Sequence, residues 1–194
     1  MQRVAAEAAP TTVLLWLVLA ASAHAGDYQL EPTGSSLKFT AVQQGATFES
    51  RFEHFTADIR FDPAQPANGR ITARIDLGSV DTGNTERDEV LKTADWFAIG
   101  RWPEAVFSAE QIVAVDTGFE ARGTLSLRDA RQPATLRFTW TPSVEGQPAR
   151  LVGSATLERL TFGVGQGDWR DTAYVGNTVK VQVDIRLVKA LSKQ

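Results

Sequence analysis

From Tyr28 onward the chain alternates apolar and polar residues with a period of two, and that pattern limits its fold more than any other feature. Alternation at period two fits a strand with one buried face; a helix would repeat every ~3.6 residues. In residues 69–77, Ile71, Ala73, Ile75 and Leu77 share one face, while Thr72, Arg74 and Asp76 share the other. In residues 118–127, Phe119, Ala121, Gly123, Leu125 and Leu127 oppose Glu120, Arg122, Thr124 and Ser126. In residues 177–187, Val179, Val181, Val183, Ile185 and Leu187 oppose Lys180, Gln182, Asp184 and Arg186. Further strands are expected at residues 35–42, 47–52, 54–62, 105–115, 134–140 and 150–160.

Turn signals separate these runs: Asp62-Pro63 with Asn68-Gly69, Asp116-Thr117-Gly118, Ala130 to Pro133, and Glu145-Gly146. The aromatic positions change parity between Phe52 and Phe55, which predicts a bulge or tight bend at Glu53-His54. One stretch lacks alternation. Residues 84–97 read as a short helix, with Thr85 and Asp88 spaced as a capping box and Val90, Leu91, Ala94 and Phe97 as its apolar side. Strands without βαβ units point to an all-β barrel or sandwich, and an antiparallel barrel of about eight strands with one inserted helix is the expectation. Strands of about ten residues rise ~3.3 Å per residue, giving a wall of roughly 33 Å, tall enough to enclose an elongated ligand.

The first 25 residues read as a cleavable export signal, with Arg3 in the leader, a nine-residue apolar run from Val13 to Ala21, and Ala23-His24-Ala25 before the cut. That run is shorter than the ~20 residues a membrane-spanning helix needs. No integral anchor is expected. Cleavage after Ala25 leaves residues 26–194 as a single domain, exported to the periplasm. Arg3 and Glu7 leave together, so the formal charge stays at −3, and no basic block suits nucleic acid. The chain has no cysteine, which excludes a thiol nucleophile, a zinc–thiolate site and a lipid-attachment cysteine.

With His24 removed, His54 is the one remaining histidine, so a histidine metal cluster is impossible, and its place in the suspected bend suits a solvated or structural role. No catalytic residue, metal or cofactor is assigned. Carboxylates do gather around the helix, at Asp81, Glu86, Asp88, Glu89 and Asp95, and helix capping accounts for most of them. Gly163, Gly165 and Gly167 are not followed by a helix signal, so they mark a turn between strands and not a phosphate loop. All ten phenylalanines and four of the five tryptophans lie after the leader. Phe39, Phe48, Phe52, Phe55, Trp96, Phe97, Phe107, Phe138, Trp140 and Phe162 either line a cavity or fill a core, and the pattern leaves both readings open.

Four separated motifs, TERDEVLKTADWF (85–97), RWPEAVFSA (101–109), GTLSLRDARQPATL (123–136) and ERLTFGVG (158–165), resemble the YceI-like proteins, exported bacterial polyisoprenoid-binding proteins. The resemblance runs from about Asp27 to Val188, and departs from the family pattern where Ser50-Arg51 stand in place of a glycine ahead of the phenylalanine. It implies an extended lipocalin-like barrel that holds the tail of an isoprenoid lipid or isoprenoid quinone, and a possible homodimer. On that reading the aromatic residues above, with Val90 and Leu91, contact the tail, and Arg87, Asp88 and Arg159 are candidates for the head group. Two other readings stand beside it: a stress-response or partner-binding barrel filled by its own side chains, and an enzyme acting on such a lipid through the carboxylates near Asp88.

Overall fold

The computed structural model describes residues 26–190, and the expected export signal lies outside the described residues. Ten strands hydrogen-bond into one antiparallel sheet: β1 (Gly26–Gln43), β2 (Ala46–Phe52), β3 (Phe55–Phe61), β4 (Arg70–Asp76), β5 (Val80–Asp81), β6 (Glu104–Val115), β7 (Gly118–Leu127), β8 (Ala130–Thr141), β9 (Ala149–Glu158) and β10 (Thr178–Lys189). The last strand pairs with the first, from Tyr28 opposite Lys189 to Thr40 opposite Lys180, which closes the sheet. Closure leaves neither the first nor the last strand as a free edge of the sheet.

Two pairs of strands are single wall strands with an interruption. β2 and β3 both pair with β1 and are parted only at Glu53-His54. β4 and β5 pair with β3 and β2 in turn, parted by a 3-10 turn at Leu77–Ser79. The wall is therefore an eight-stranded up-and-down barrel. Bulges set which side chains enter it, because one extra residue flips every later position to the other face. Between Phe52 and Phe55 the buried positions change from even to odd, at the bend expected from sequence; there Glu53 and His54 donate their N–H groups to Ser79. β1 shifts register between Glu31 and Ser36, so that Tyr28 and Leu30 face inward before the shift and Leu37, Phe39 and Ala41 after it. β6 shifts between Ala109 and Gln111, and Gly123 opposite Ala109 allows the close approach, since a Cβ there would collide with the Ser108 carbonyl.

The inward side chains fill one end of the barrel. Phe61 packs against Phe119 at 4.9 Å, Trp140 at 5.1 Å and Phe138 at 5.5 Å between ring centres, and Tyr28 meets Trp140 at 5.1 Å. Ile112, Leu151 and Leu187 complete this plug, all but sealed from solvent. Each such side chain contributes about 1.5–3 kcal/mol through burial. The outer face carries cross-strand ion pairs, among them Arg74 with Glu104 and Lys38 with Glu49. Both pairs are exposed, and such pairs typically add less than about 1 kcal/mol. Glu120 is different: its carboxylate is largely covered and accepts from both Arg122 and Arg137, whose hydrogen bonds hold it below the ordinary carboxylate range.

Candidate functional site

Toward the other end, inward positions become small. Ala41, Ala57, Ala73, Ala105, Ala134 and Ala155 border space instead of filling it, and a cavity of about 520 Å³ remains inside the wall. That volume falls within the ~300–1,000 Å³ usual for a small-molecule site. Ile59, Ile71, Leu151 and Ile185 form its floor, shared with the plug. Leu37, Phe39, Phe48, Phe52, Phe55, Phe107, Leu125, Leu157, Val179, Val181 and Val183 line its walls. The interior is thus solid at one end and hollow at the other.

Three segments cover the hollow end. The first is helix α1 (Thr85–Lys92), from which Arg87, Val90 and Leu91 reach the cavity. Its start differs from the expected capping box. Asn84 is the N-cap and its side-chain oxygen accepts from the Arg87 N–H at 2.9 Å, while Asp88 turns back to accept from the Thr82 N–H at 2.8 Å. Asn provides the stronger local acceptor, so it displaces Thr85 from the role. The helix stops at Thr93, whose hydroxyl donates to the Val90 carbonyl, and residues 94–97 continue as turns instead of the longer helix expected. Ala94, expected on the apolar side, is consequently exposed. A helix of eight residues is marginal alone, so docking of Leu91 against the barrel end sustains it.

The second segment follows it and delivers Trp96 and Phe97, which packs 6.0 Å from Phe52. The third is the connection between β9 and β10, which supplies Phe162, Val164, Trp169, Tyr174 and Val175. The glycines at 163, 165 and 167, expected in a turn between strands, belong to this longer cover. Arg159 organises it from within. Only 4% exposed, its guanidinium donates to the carbonyls of Gly176 (2.9 Å), Val164 (2.9 Å), Gly165 (3.2 Å), Trp169 (2.6 Å) and Val175 (2.7 Å). Burial pushes its pKa down, yet five carbonyl dipoles compensate the charge. Gly165, at φ +78°, is required here, because a Cβ would strike the Arg159 guanidinium. Arg128 joins the second and third segments, donating to the carbonyls of Trp96 (2.7 Å) and Gly163. The Gly165 and Gln166 N–H groups both donate to the Asp95 carbonyl at 2.8 Å.

The cavity therefore gathers Phe39, Phe48, Phe52, Phe55, Phe107, Phe162, Val90, Leu91, Trp96, Phe97, Arg87 and Arg159. It leaves out three candidates. Phe138 and Trp140 lie in the plug, and Asp88 is bound to Thr82 outside the lining. Arg159 borders the cavity with its donors already taken by main-chain carbonyls. Arg87 sits at the rim, half-buried, its guanidinium carbon 4.4 Å from the centre of the Phe48 ring. Gln43, Asn84, Glu86 and Tyr174 are the other polar side chains there, and Glu86 is the one carboxylate in the lining. His54 is exposed, with Nδ1 3.8 Å from Asp76. The residues that sequence reasoning missed are the alanines, the β10 valines, the β9–β10 connection beyond Phe162, and Arg128. Alternation already marked Ala73 and the β10 valines as inward-facing; the connection carries no periodic signal.

Among the described residues no helix is long and apolar enough to cross a membrane. A family model described as the YceI-like domain matches residues 28–187. A UPF0312 protein of Vibrio parahaemolyticus is 26% identical over 162 residues, covering 79% of this chain and 86% of that protein. One from Pseudomonas paraeruginosa is 28% identical, covering 76% and 81%. Among solved structures, BcnA of Burkholderia cenocepacia superposes with a TM-score of 0.76 at 26% identity, covering 82% of this chain and 99% of BcnA. A domain from Saccharophagus degradans, described as polyisoprenoid-binding and implicated in plant cell wall breakdown, superposes with a TM-score of 0.65 at 17% identity, covering 86% and 100%.

Proposed function

We propose, from the premise that this chain belongs to the YceI-like family, that it is a periplasmic carrier which sequesters an isoprenoid lipid, or an isoprenoid quinone or its precursor, inside the hollow end of the barrel. The observation that carries this reading is the cavity itself: about 520 Å³, walled by aliphatic and aromatic side chains, with polar groups confined to the cover and the rim. The fold shared with the polyisoprenoid-binding domain of Saccharophagus degradans supports it. Burying a CH₂ group is worth about 0.8 kcal/mol, so each five-carbon isoprene unit offers a gross ~4 kcal/mol before the costs of association. A prenyl tail thus supplies its own driving force, and a wall lined with mixed aromatic and branched side chains accepts its methyl groups. Binding without chemical conversion is the favoured role, because Asp88, the carboxylate around which an enzymatic reading would be built, is engaged by Thr82 outside the lining.

The test is native mass spectrometry of the exported protein, followed by lipid extraction. We expect one equivalent of a prenyl-chain lipid, and uptake of a prenyl alcohol or quinone by stripped protein. Repeated recovery of an empty barrel that takes up no prenyl compound would refute the proposal.

A further inference from the structure

Around the cavity, most cationic side chains already have partners, and one does not. Arg159 and Arg128 donate to main-chain carbonyls, Lys92 pairs with Glu89, Lys38 with Glu49, and Arg51 with Asp81. The guanidinium of Arg87 makes no ion pair and donates no hydrogen bond among the described residues, although it is half-buried over Phe48 and borders the cavity. The acidic groups nearby are committed elsewhere: Asp88 to the Thr82 N–H, Glu89 to Lys92, Asp81 to Arg51 and the Gly83 N–H. Glu86 adjoins Arg87 in sequence, but successive positions on a helix point away from one another, and the two form no pair.

We propose that Arg87 is the counter-charge for an ionised head group, so that this cavity selects long-chain amphiphiles ending in a carboxylate or a phosphate over neutral ones. The inference rests on the ligand reading above and deepens it. A chain that fills the apolar volume also displaces water from the rim and strips the guanidinium of solvent on that side. A neutral head offers it single acceptors; an oxyanion accepts two parallel N–H donors from the planar fork. The Phe48 ring beneath holds the fork in place, and Gln43, Asn84 and Tyr174 stand at the same rim. Glu86 opposes an anion there, so its removal strengthens binding of the charged ligands.

The experiment measures dissociation constants for two matched pairs, geranylgeranyl phosphate against geranylgeraniol, and palmitate against hexadecanol, with the native protein, Arg87→Gln, Arg87→Lys and Glu86→Gln. In the native protein the charged member of a pair binds about ten- to a hundredfold tighter than its alcohol, the scale of a charge-assisted bidentate contact. Arg87→Gln brings that ratio close to one, Arg87→Lys keeps part of it, and Glu86→Gln raises it. Equal affinities within both pairs, or a ratio unchanged by Arg87→Gln, would overturn the assignment while leaving the prenyl-carrier reading intact. Discrimination within the palmitate pair without uptake of either prenyl compound would sustain Arg87 and overturn the isoprenoid reading. Binding of none of the four would overturn both.

Discussion

Truncating two phenylalanines separates the filled end of the barrel from the hollow one. Phe138 is 4% exposed and lies 5.5 Å from both Phe61 and Phe119, so Phe138→Ala removes a ring that is packed on all sides. Such a change costs the transfer free energy plus the cavity left behind, about 3–5 kcal/mol. Phe107 projects from β6 between the two clusters, is half-buried, and presents part of its ring to existing empty space. Phe107→Ala only enlarges a void, so the transfer share dominates and about 1–2 kcal/mol is lost. For a domain of this size 1 kcal/mol moves the melting temperature by roughly 2–4 °C, so the first variant should melt about 6–20 °C lower and the second about 2–8 °C lower. Urea unfolding followed by circular dichroism gives the two values directly, and native mass spectrometry gives ligand uptake. Phe107→Ala is expected to weaken uptake more than stability, and Phe138→Ala the reverse. Equal losses of stability, or a Phe138→Ala protein within about 1 kcal/mol of native, would mean that the plug and the cavity are not distinct compartments.

Three further outcomes follow from the same geometry. Arg159→Met strands five main-chain carbonyls and should cost about 3–5 kcal/mol, with amide exchange accelerated from Val164 to Val175 and unchanged in β7 and β8; uniform exchange would contradict its role as a clamp of the cover. Ala155→Trp places an indole in the cavity and should abolish ligand uptake with melting temperature held or raised; normal uptake would show that the chain binds elsewhere. The Glu120 carboxyl is held down by its hydrogen bonds from Arg122 and Arg137, and that of Asp184 by those from Arg150, so both stabilise the fold at neutral pH, above their unfolded values, and lose that contribution as pH falls through the lower folded values. Accordingly Glu120→Gln should narrow the gap between urea midpoints at pH 7 and pH 3, and an unaltered gap would remove Glu120 from the acid response.

The barrel was legible in the sequence because its strands have one apolar face and one polar face. Ile71, Ala73 and Ile75 in β4, and Val179 to Leu187 in β10, carry the pattern without interruption, and all of them turn inward in the structure. The parity change at Phe52 and Phe55 located a real bend for the same reason. What alternation does not record is how far each strand is displaced along its neighbour. The shifts at Glu31–Ser36 in β1 and Ala109–Gln111 in β6 move whole strands relative to one another, and neither leaves a signature as plain as two misaligned phenylalanines. The cap on α1 falls to Asn84 instead of Thr85 because Asn caps more strongly than Thr, which frees Asp88 to accept from Thr82, and alternation carries no record of that competition.

Those displacements decide where a side chain sits along the barrel axis, and that height, more than residue type, separates a ligand-contacting aromatic from a core one. Phe107 and Phe138 are alike in composition and both face inward, yet one borders empty space and the other is sealed among rings. Cross-strand register supplies the missing coordinate. Phe119 lies opposite Phe138, and Tyr28 opposite Ile59, so large residues coincide at one level and close it. Farther along, Ala73 lies opposite Phe107, and Val181 faces Ala155 on one side, so a small residue stands beside a large one and the wall cannot reach its own centre. Five aromatic rings at one level leave no room for a guest, whereas alanines spread through the next leave a space that only apolar groups can fill without stranding a hydrogen bond. It follows that exchanging sizes across one register pair, as in the double variant Ala73→Phe with Phe107→Ala, should preserve total volume and the fold while reshaping the cavity. Uptake of a long prenyl chain should then fall without a matching loss of stability, and a ligand profile identical to the native one would show that side-chain size at that level does not define the site.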